Sequence, residues 1–166
     1  MRHIKSDAPA DVQAKAALAV VARLLPPNQS KLFKIQVNFD LPRNTFELNK
    51  NESSEIVFIK ASSGVAACKG FYYYLKNYCN CHVSWEGSQL LTIPKVLPTI
   101  NYKFTSHSDF IYYQNVCTWS YSFAWWKWAD WQRHIDWMAL NGIILCMHIR
   151  VDEIPKLAVI LTSLNH

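Results

Sequence analysis

Glycine is scarce in this sequence, with four in 166 residues, and none builds the glycine-rich loop with which a backbone cradles phosphate. Long apolar runs are missing too. No stretch approaches the ~20 uninterrupted apolar residues that a membrane span requires. The start, Met1-Arg2-His3-Ile4-Lys5-Ser6-Asp7, carries positive charge, but Asp7, Pro9, Asp11, Gln13 and Lys15 break up any apolar segment behind it. The expectation is no membrane span and, in the sequence as given, no export signal. Clustered cations are lacking as well. The formal net charge is +5, yet Lys and Arg are scattered singly, and capture of nucleic acid needs cations that displace counterions together. No nucleic-acid partner is expected. Paired cysteines are the last absence. Cys68, Cys79, Cys81, Cys117 and Cys146 are odd in number and irregular in spacing, which argues against a disulfide framework and for buried free thiols. Cys79-Asn80-Cys81-His82 offers three soft ligands, but a structural zinc site wants a second paired set, and the sequence has none. Neither a metal nor a cofactor is expected.

What is present is a chain that can fold. Hydrophobic residues make up 51% and charged residues 17%, rich enough to bury a core. Aromatic residues reach 14%, and most of the seven tryptophans fall between Trp119 and Trp137. Asp7 and Pro9 suit a helix start, Val12, Ala16, Ala19, Val20 and Leu24 recur at helical spacing, and Pro26-Pro27 ends the helix near Leu25. Short strands come next, over Leu32 to Phe39, Phe46 to Leu48 and Ile56 to Ile59. Ser62-Ser63 can cap a second helix with a stripe of Val65, Cys68, Tyr72, Leu75 and Cys79. His82 to Trp85 and Gln89 to Ile93 read as a hairpin closed by Pro94 and Pro98.

After about Thr99 comes a connector containing Asn101, Lys103, Ser106, His107 and Ser108. Ile111 to Cys117 is then strand-like, Ser122 can cap a helix from Phe123 to about Leu140, Asn141-Gly142 ends it, and Ile143 to Met147 reads as a buried strand. That is one βαβ step, the repeating unit of a parallel barrel. The fold class expected is α/β: a small N-terminal α/β sandwich domain over residues 1–100, then the first βαβ unit of an incomplete TIM-like barrel over 101–149, with a divergent tail over 150–166.

Glycosidic cleavage needs two carboxylates roughly 5 to 10 Å apart in a pocket, and no Asp or Glu here reads as more than a solvated carboxylate. Asp130 and Asp136 fall on the polar face of the last helix, and Asp152-Glu153 would diverge. No nucleophile elbow or Cys-His pair stands out. No residue of this chain is therefore assigned a catalytic role. On the last helix Trp128, Trp131, Ile135 and Met138 share one face and read as core, while Trp119, Trp125 or Trp126 could meet a sugar face. In parallel barrels substrate contacts gather at the C-terminal strand ends, which singles out Asn115, Cys117 and Tyr121 for a pocket. The competing reading makes Asn115 a turn residue, Cys117 core and Tyr121 a loop anchor. Asn28-Gln29-Ser30 and Asn51-Glu52-Ser53 are sequons, so Asn28 and Asn51 are glycosylation candidates.

The run Tyr112-Tyr113-Gln114-Asn115-Val116-Cys117-Thr118, continued by Ser120-Tyr121-Ser122-Phe123, Trp125-Trp126 and Ile135-Asp136-Trp137-Met138-Ala139-Leu140-Asn141-Gly142-Ile143, closely resembles the α-N-acetylglucosaminidases, family 89 of the glycoside hydrolases. Ser63-Gly64-Val65-Ala66-Ala67, Cys79-Asn80-Cys81-His82-Val83-Ser84-Trp85 and Gly87-Ser88-Gln89-Leu90 resemble that family's N-terminal domain. The resemblance covers roughly residues 8 to 145. It implies a lysosomal or secreted exo-hydrolase that removes terminal α-linked N-acetylglucosamine from heparan sulfate, a homo-oligomer at full length, and two barrel glutamates as acid/base and nucleophile, both beyond His166. It also implies that Asn115, Cys117 and Tyr121 line the pocket for the terminal sugar. Trp119 departs from the polar residue expected there, and the stretch from Cys146-Met147-His148-Ile149-Arg150 to the end of the chain departs altogether. The expectation is a truncated, inactive front end of such a hydrolase. The alternative is a non-catalytic carbohydrate-binding or interaction module.

Overall fold

The computed structural model describes residues 8–90, 93–114 and 121–146, without the side chains of 145 and 146. Helix α1 spans Ala10–Leu24, a single turn α2 spans Pro27–Ser30, and strands β1 (Phe33–Val37), β2 (Thr45–Lys50) and β3 (Val57–Ala61) come after it. Helix α3 (Gly64–Tyr78) precedes the short pair β4 (His82–Val83) and β5 (Ser88–Gln89), then β6 (Ile100–Thr105). The four long strands form one mixed sheet in the order β1-β3-β2-β6, with β1 parallel to β3 and the other pairings antiparallel.

Helix α1 packs on β1 and α3 on β2 and β3, so both helices lie on one face. The other face is open. It presents Lys34, Phe58, Asn49 and Asn101 in one row across the strands and Gln36, Lys60, Glu47 and Lys103 in the next. Lys103 and Glu47 close a cross-strand ion pair of 2.8 Å there. The covered face is dry and aromatic: Phe33 meets Phe71 edge to face at 4.9 Å, Tyr73 stacks on Tyr102 at 4.7 Å, and Phe46 stacks on Phe104 at 5.2 Å. The Tyr74 hydroxyl, buried among these rings, donates to the Pro98 carbonyl at 2.6 Å.

Three details correct the sequence reading. The buried face of α1 is Gln13, Ala17, Val20 and Val21 rather than the stripe through Val12, Ala16 and Ala19; Val12 is 37% exposed. The cause is Gln13, whose buried amide donates to the Ala8 carbonyl and accepts from the Gly64 N–H, each at 3.0 Å. A satisfied polar side chain can occupy a core position, and apolar periodicity cannot see it. Gly64 must be glycine for this contact, since a Cβ there would lie 2.9 Å from the Gln13 carbonyl oxygen. Second, the stretch read as a connector is β6, the far edge of the sheet, so the sheet continues past residue 100 to Thr105. Ile100, Tyr102 and Phe104 alternate with Asn101, Lys103 and Thr105, a period-two signal that the polar members concealed.

Third, the last helix, α4, spans Trp128–Leu140 and starts later than Phe123. Residues 121–125 form turns, and the Asp130 carboxylate, not Ser122, closes the helix start by accepting the Lys127 N–H at 3.0 Å. Its other end is as expected: Gly142 takes φ +71°, and the Ile143 N–H reaches the Met138 carbonyl at 3.0 Å. Strand β7 (Tyr112–Tyr113) pairs in parallel with β8 (Leu145–Cys146) across α4, which is the βαβ unit. Helix α4 leans on α3, so this unit is seated on the first domain. The tail from residue 150 lies outside the described residues.

Candidate functional site

The C-terminal end of β7 is where a parallel barrel would build its pocket. Tyr113 packs its ring 5.2 Å from Trp137 and 5.4 Å from His134 of α4. The next residue, Gln114, has φ +97°, a backbone conformation strained for a residue with a Cβ. Its carbonyl accepts from the Tyr112 hydroxyl at 2.8 Å, while its side-chain Oε1 is buried without a hydrogen-bond partner among the described residues. Asn115, Cys117 and Trp119 lie outside the described residues. Tyr121 is 76% exposed in the turns before α4, and Trp125 is 91% exposed. Between them Phe123 is buried and stacks on Trp126 at 3.9 Å. The segment thus holds two aromatic rings in water and anchors itself with two others.

Behind that segment sits an aromatic cluster. Trp131, Ile135 and Met138 are buried and Trp128 half-buried, so the helical stripe is core as expected. His134 is enclosed in it, 1% exposed, with neither ring nitrogen hydrogen-bonded among the described residues. Burial lowers its pKa to about 4, because an imidazolium here would be a charge without water.

The carboxylates need one correction. Asp136 is not on a solvated face: it is 5% exposed and takes a bidentate pair from Arg23 of α1, with Nε to Oδ2 and Nη2 to Oδ1 both at 2.7 Å. This fork ties α1 to α4. The hydrogen bonds that Arg23 donates to Asp136 raise the Arg23 pKa above its ordinary value, with burial opposing them. Both carboxylate oxygens are occupied, so Asp136 is structural. Asp130 is likewise engaged with the Lys127 N–H and, at 3.5 Å, with Arg133. A cleft of about 370 Å³ opens at this seam, walled by Arg23, Ser84, Ser88, Arg133, Asp136 and Trp137. Arg23 and Asp136 are spent on each other there, and Arg133 has a long 3.5 Å contact with Asp130.

Cys68, Cys79 and Cys81 are buried, and burial pushes the Cys68 and Cys79 thiols up to about 12. Cys68 and Cys79 are inert packing groups at neutral pH. His82 Nδ1 faces the Tyr72 hydroxyl at 3.0 Å. Among the described residues no three His, Cys, Asp or Glu side chains converge to hold a metal, and no helix is long and apolar enough to cross a membrane. Asn28 and Asn51 are both exposed, Asn28 in α2 and Asn51 just after β2.

Sequence reasoning missed Arg23, Gln114 and His134. Arg23 carried no signal, since its partner lies 113 residues away. His134 could have been found as the histidine three residues after Trp131 and three before Trp137 on one helix.

A two-layer α/β domain that runs into a parallel βαβ unit is the arrangement with which a parallel β/α barrel opens. Residues 15–99 match the family described as Alpha-N-acetylglucosaminidase (NAGLU) N-terminal domain, and residues 111–161 match the tim-barrel domain of the same family. The chain belongs to the α-N-acetylglucosaminidase family. The barrel match runs to residue 161, past Cys146, where the sequence was expected to depart from the family. The human α-N-acetylglucosaminidase is 45% identical over an alignment of 141 residues that covers 81% of this chain and 19% of the human protein. Among solved structures, a family 89 glycoside hydrolase from Clostridium perfringens in complex with PUGNAc superposes with TM-score 0.75 at 28% identity, over 82% of this chain and 16% of that one. A Clostridium perfringens variant with two glutamates replaced by glutamine, in complex with its substrate GlcNAc-α-1,4-galactose, superposes at 0.72 with 28% identity, over 80% of this chain and 15% of that one. The chain thus spans about a fifth or less of the relatives it matches.

Proposed function

We propose that this chain supplies the N-terminal α/β domain and the barrel opening of a glycosidase that removes terminal α-linked N-acetylglucosamine from heparan sulfate in a lysosomal or secreted setting. The observation that supports the reading is the parallel pairing of β7 with β8 across α4, because parallel barrels bind substrate at the C-terminal ends of such strands. Asn115, Cys117 and Tyr121 contribute one side of the pocket for the terminal sugar. The two glutamates that attack and protonate the glycosidic bond in a retaining mechanism are not among these 166 residues, so these residues alone bind and position without cleaving. Asn28 and Asn51, exposed at sequons, carry the glycans of a chain that passes through the secretory pathway.

The test has two readouts on the purified 166-residue chain. Hydrolysis of an aryl α-N-acetylglucosaminide is expected to equal the buffer rate, and turnover above it would refute the non-catalytic assignment. Binding of N-acetylglucosamine, monitored by saturation-transfer NMR, is expected to weaken about tenfold in Tyr121→Ala, the loss of one good stacking contact of about 1.4 kcal/mol. Binding untouched by that substitution and by Asn115→Ala would take the sugar site away from this loop.

A further inference from the structure

The open face of the sheet gathers cations that the sequence scatters. Lys34 of β1, Lys60 of β3 and Lys103 of β6 share it, brought together by the β1-β3-β2-β6 register. Neighbouring strands lie about 4.8 Å apart and same-face residues about 7 Å apart along a strand, so successive lysines stand about 8 to 10 Å from one another. That is within the Debye length of about 10 Å at 0.1 M salt, and the three act together on one anionic chain. The carboxylate in these rows is Glu47, between Lys60 and Lys103, and Lys103 holds it at 2.8 Å in a partly exposed pair that a competing anion displaces easily. Lys34 and Lys60 have no carboxylate within ion-pair reach among the described residues. Glu52 and Glu55 lie in the turn between β2 and β3, at one end of the strands.

The rest of the face suits hydroxyl groups better than bases. Gln36, Asn49 and Asn101 offer amide donors and acceptors, and one ring, Phe58, 38% exposed, offers a sugar an apolar contact. A nucleic-acid surface wants several stacking rings and a denser basic groove. The face is also turned away from the second half of the chain, because the βαβ unit attaches through α4 to α3, on the helix-covered side of the sheet.

We propose that this face is a docking surface for a sulfated polysaccharide, separate from the pocket for the terminal sugar. Lys34, Lys60 and Lys103 pair with sulfates or carboxylates along the polymer, Lys103 exchanging Glu47 for them, and the amides take its hydroxyls. A barrel continued from β7, α4 and β8 grows behind the helices and leaves the face in water. The inference rests on the glycosidase function proposed above, which supplies a polyanionic polymer, and it adds what a pocket for one sugar lacks, a hold on the chain that carries that sugar. A protein held on its polymer meets chain ends at a raised effective concentration.

The experiment mixes the whole 166-residue chain with a heparin oligosaccharide, with neutral dextran and with a short DNA duplex, reading affinity by fluorescence polarisation and the contact face by amide NMR shifts. Heparin is expected to shift amides of β1, β3, β2 and β6 around the three lysines. Its binding should weaken about tenfold between about 50 and 150 mM NaCl, as roughly two to three displaced counterions require. Lys34→Gln combined with Lys60→Gln should weaken it about tenfold, whereas Glu47→Gln, which removes the competing carboxylate, should tighten it about threefold. A gain of affinity is not something misfolding produces. Dextran should not bind. Heparin affinity untouched by these variants, shifts confined to other surfaces, or DNA bound as tightly as heparin would overturn the proposal. N-acetylglucosamine binding, read on the same samples, separates the two sites. A chain that binds this sugar but not heparin overturns the docking face alone, and one that binds heparin on the face but not the sugar overturns the loop assignment alone.

Discussion

The two halves of this molecule bury aromatic residues in opposite ways. In the first, two helices and a four-stranded sheet close on Phe46, Phe71 and Tyr74, each 0% exposed, and the buried polar groups Gln13 and Tyr74 find partners. In the second, a single helix and a two-residue parallel strand pair support an aromatic cluster in which Trp85, Trp126, Trp128 and Trp137 are only partly buried, with an unsatisfied His134 at its centre. The first half is saturated with its own contacts. The second borrows Trp85 from the first and leans on it through α3 and the Arg23–Asp136 fork. A sheet with covering helices is a complete two-layer unit, whereas a lone βαβ step has one face too many. The open rings on that face fit the family's larger barrel.

The largest expected effect separates the two cores. Phe46→Ala removes a ring touched by Gly70, Tyr73, Tyr102 and Phe104 and should cost about 4 kcal/mol, with the whole chain unfolding earlier in urea. Trp131→Ala, in the more open cluster, should cost about 3 kcal/mol and leave the sheet amides protected in hydrogen exchange. Equal global losses from both would show the halves to be one cooperative unit and dissolve the contrast. Next comes the fork that joins them. Asp136→Ala strands the Arg23 guanidinium, whose side chain is 32% exposed and can partly turn to water, so about 2 kcal/mol is expected rather than the full loss of a buried pair. The double variant with Arg23→Ala should be less destabilised than the two single losses summed, as a double-mutant cycle in urea would read.

That fork also shows where sequence legibility ends. The α1, β1, β2, β3, α3 order, the βαβ step and the Gly142 stop could be read from periodicity, turn residues and caps, because local signals encode them. Asp136 could not. A carboxylate on a helix looks solvated until the helix meets a neighbour, and only folding brings Arg23 of α1 opposite. The α4 start escapes sequence reading for a related reason: Trp125 and Trp126 continue an aromatic run, but Phe123 stacks on Trp126 in a turn and leaves Trp125 outside. Of the pocket residues, the sequence alone points to the loop through its place at a strand end, and the resemblance supplies the sugar.

Smaller effects probe the surface of the second half. At Gly142 the backbone has φ +71° and a Cβ would lie 2.6 Å from Cδ of Lys69. Gly142→Ala should therefore cost about 1 kcal/mol, the left-handed penalty plus a shift of a flexible side chain, seen as a drop in Tm of a few degrees.

The smallest effect is the most informative about function. Trp125, 91% exposed, contributes little to the packing of this chain, and Trp125→Ala should change stability by less than about 0.5 kcal/mol. A large indole in water, on the same loop as an exposed Tyr121, is then a group the fold of these residues does not use. If Trp125→Ala leaves the urea midpoint in place while weakening N-acetylglucosamine binding, the open face of the second half serves the sugar. If it leaves both unchanged, that ring belongs to packing that only the larger barrel supplies. A drop in stability of several kcal/mol would instead place Trp125 in the core of the isolated chain and erase the difference between a closed first half and an open second one.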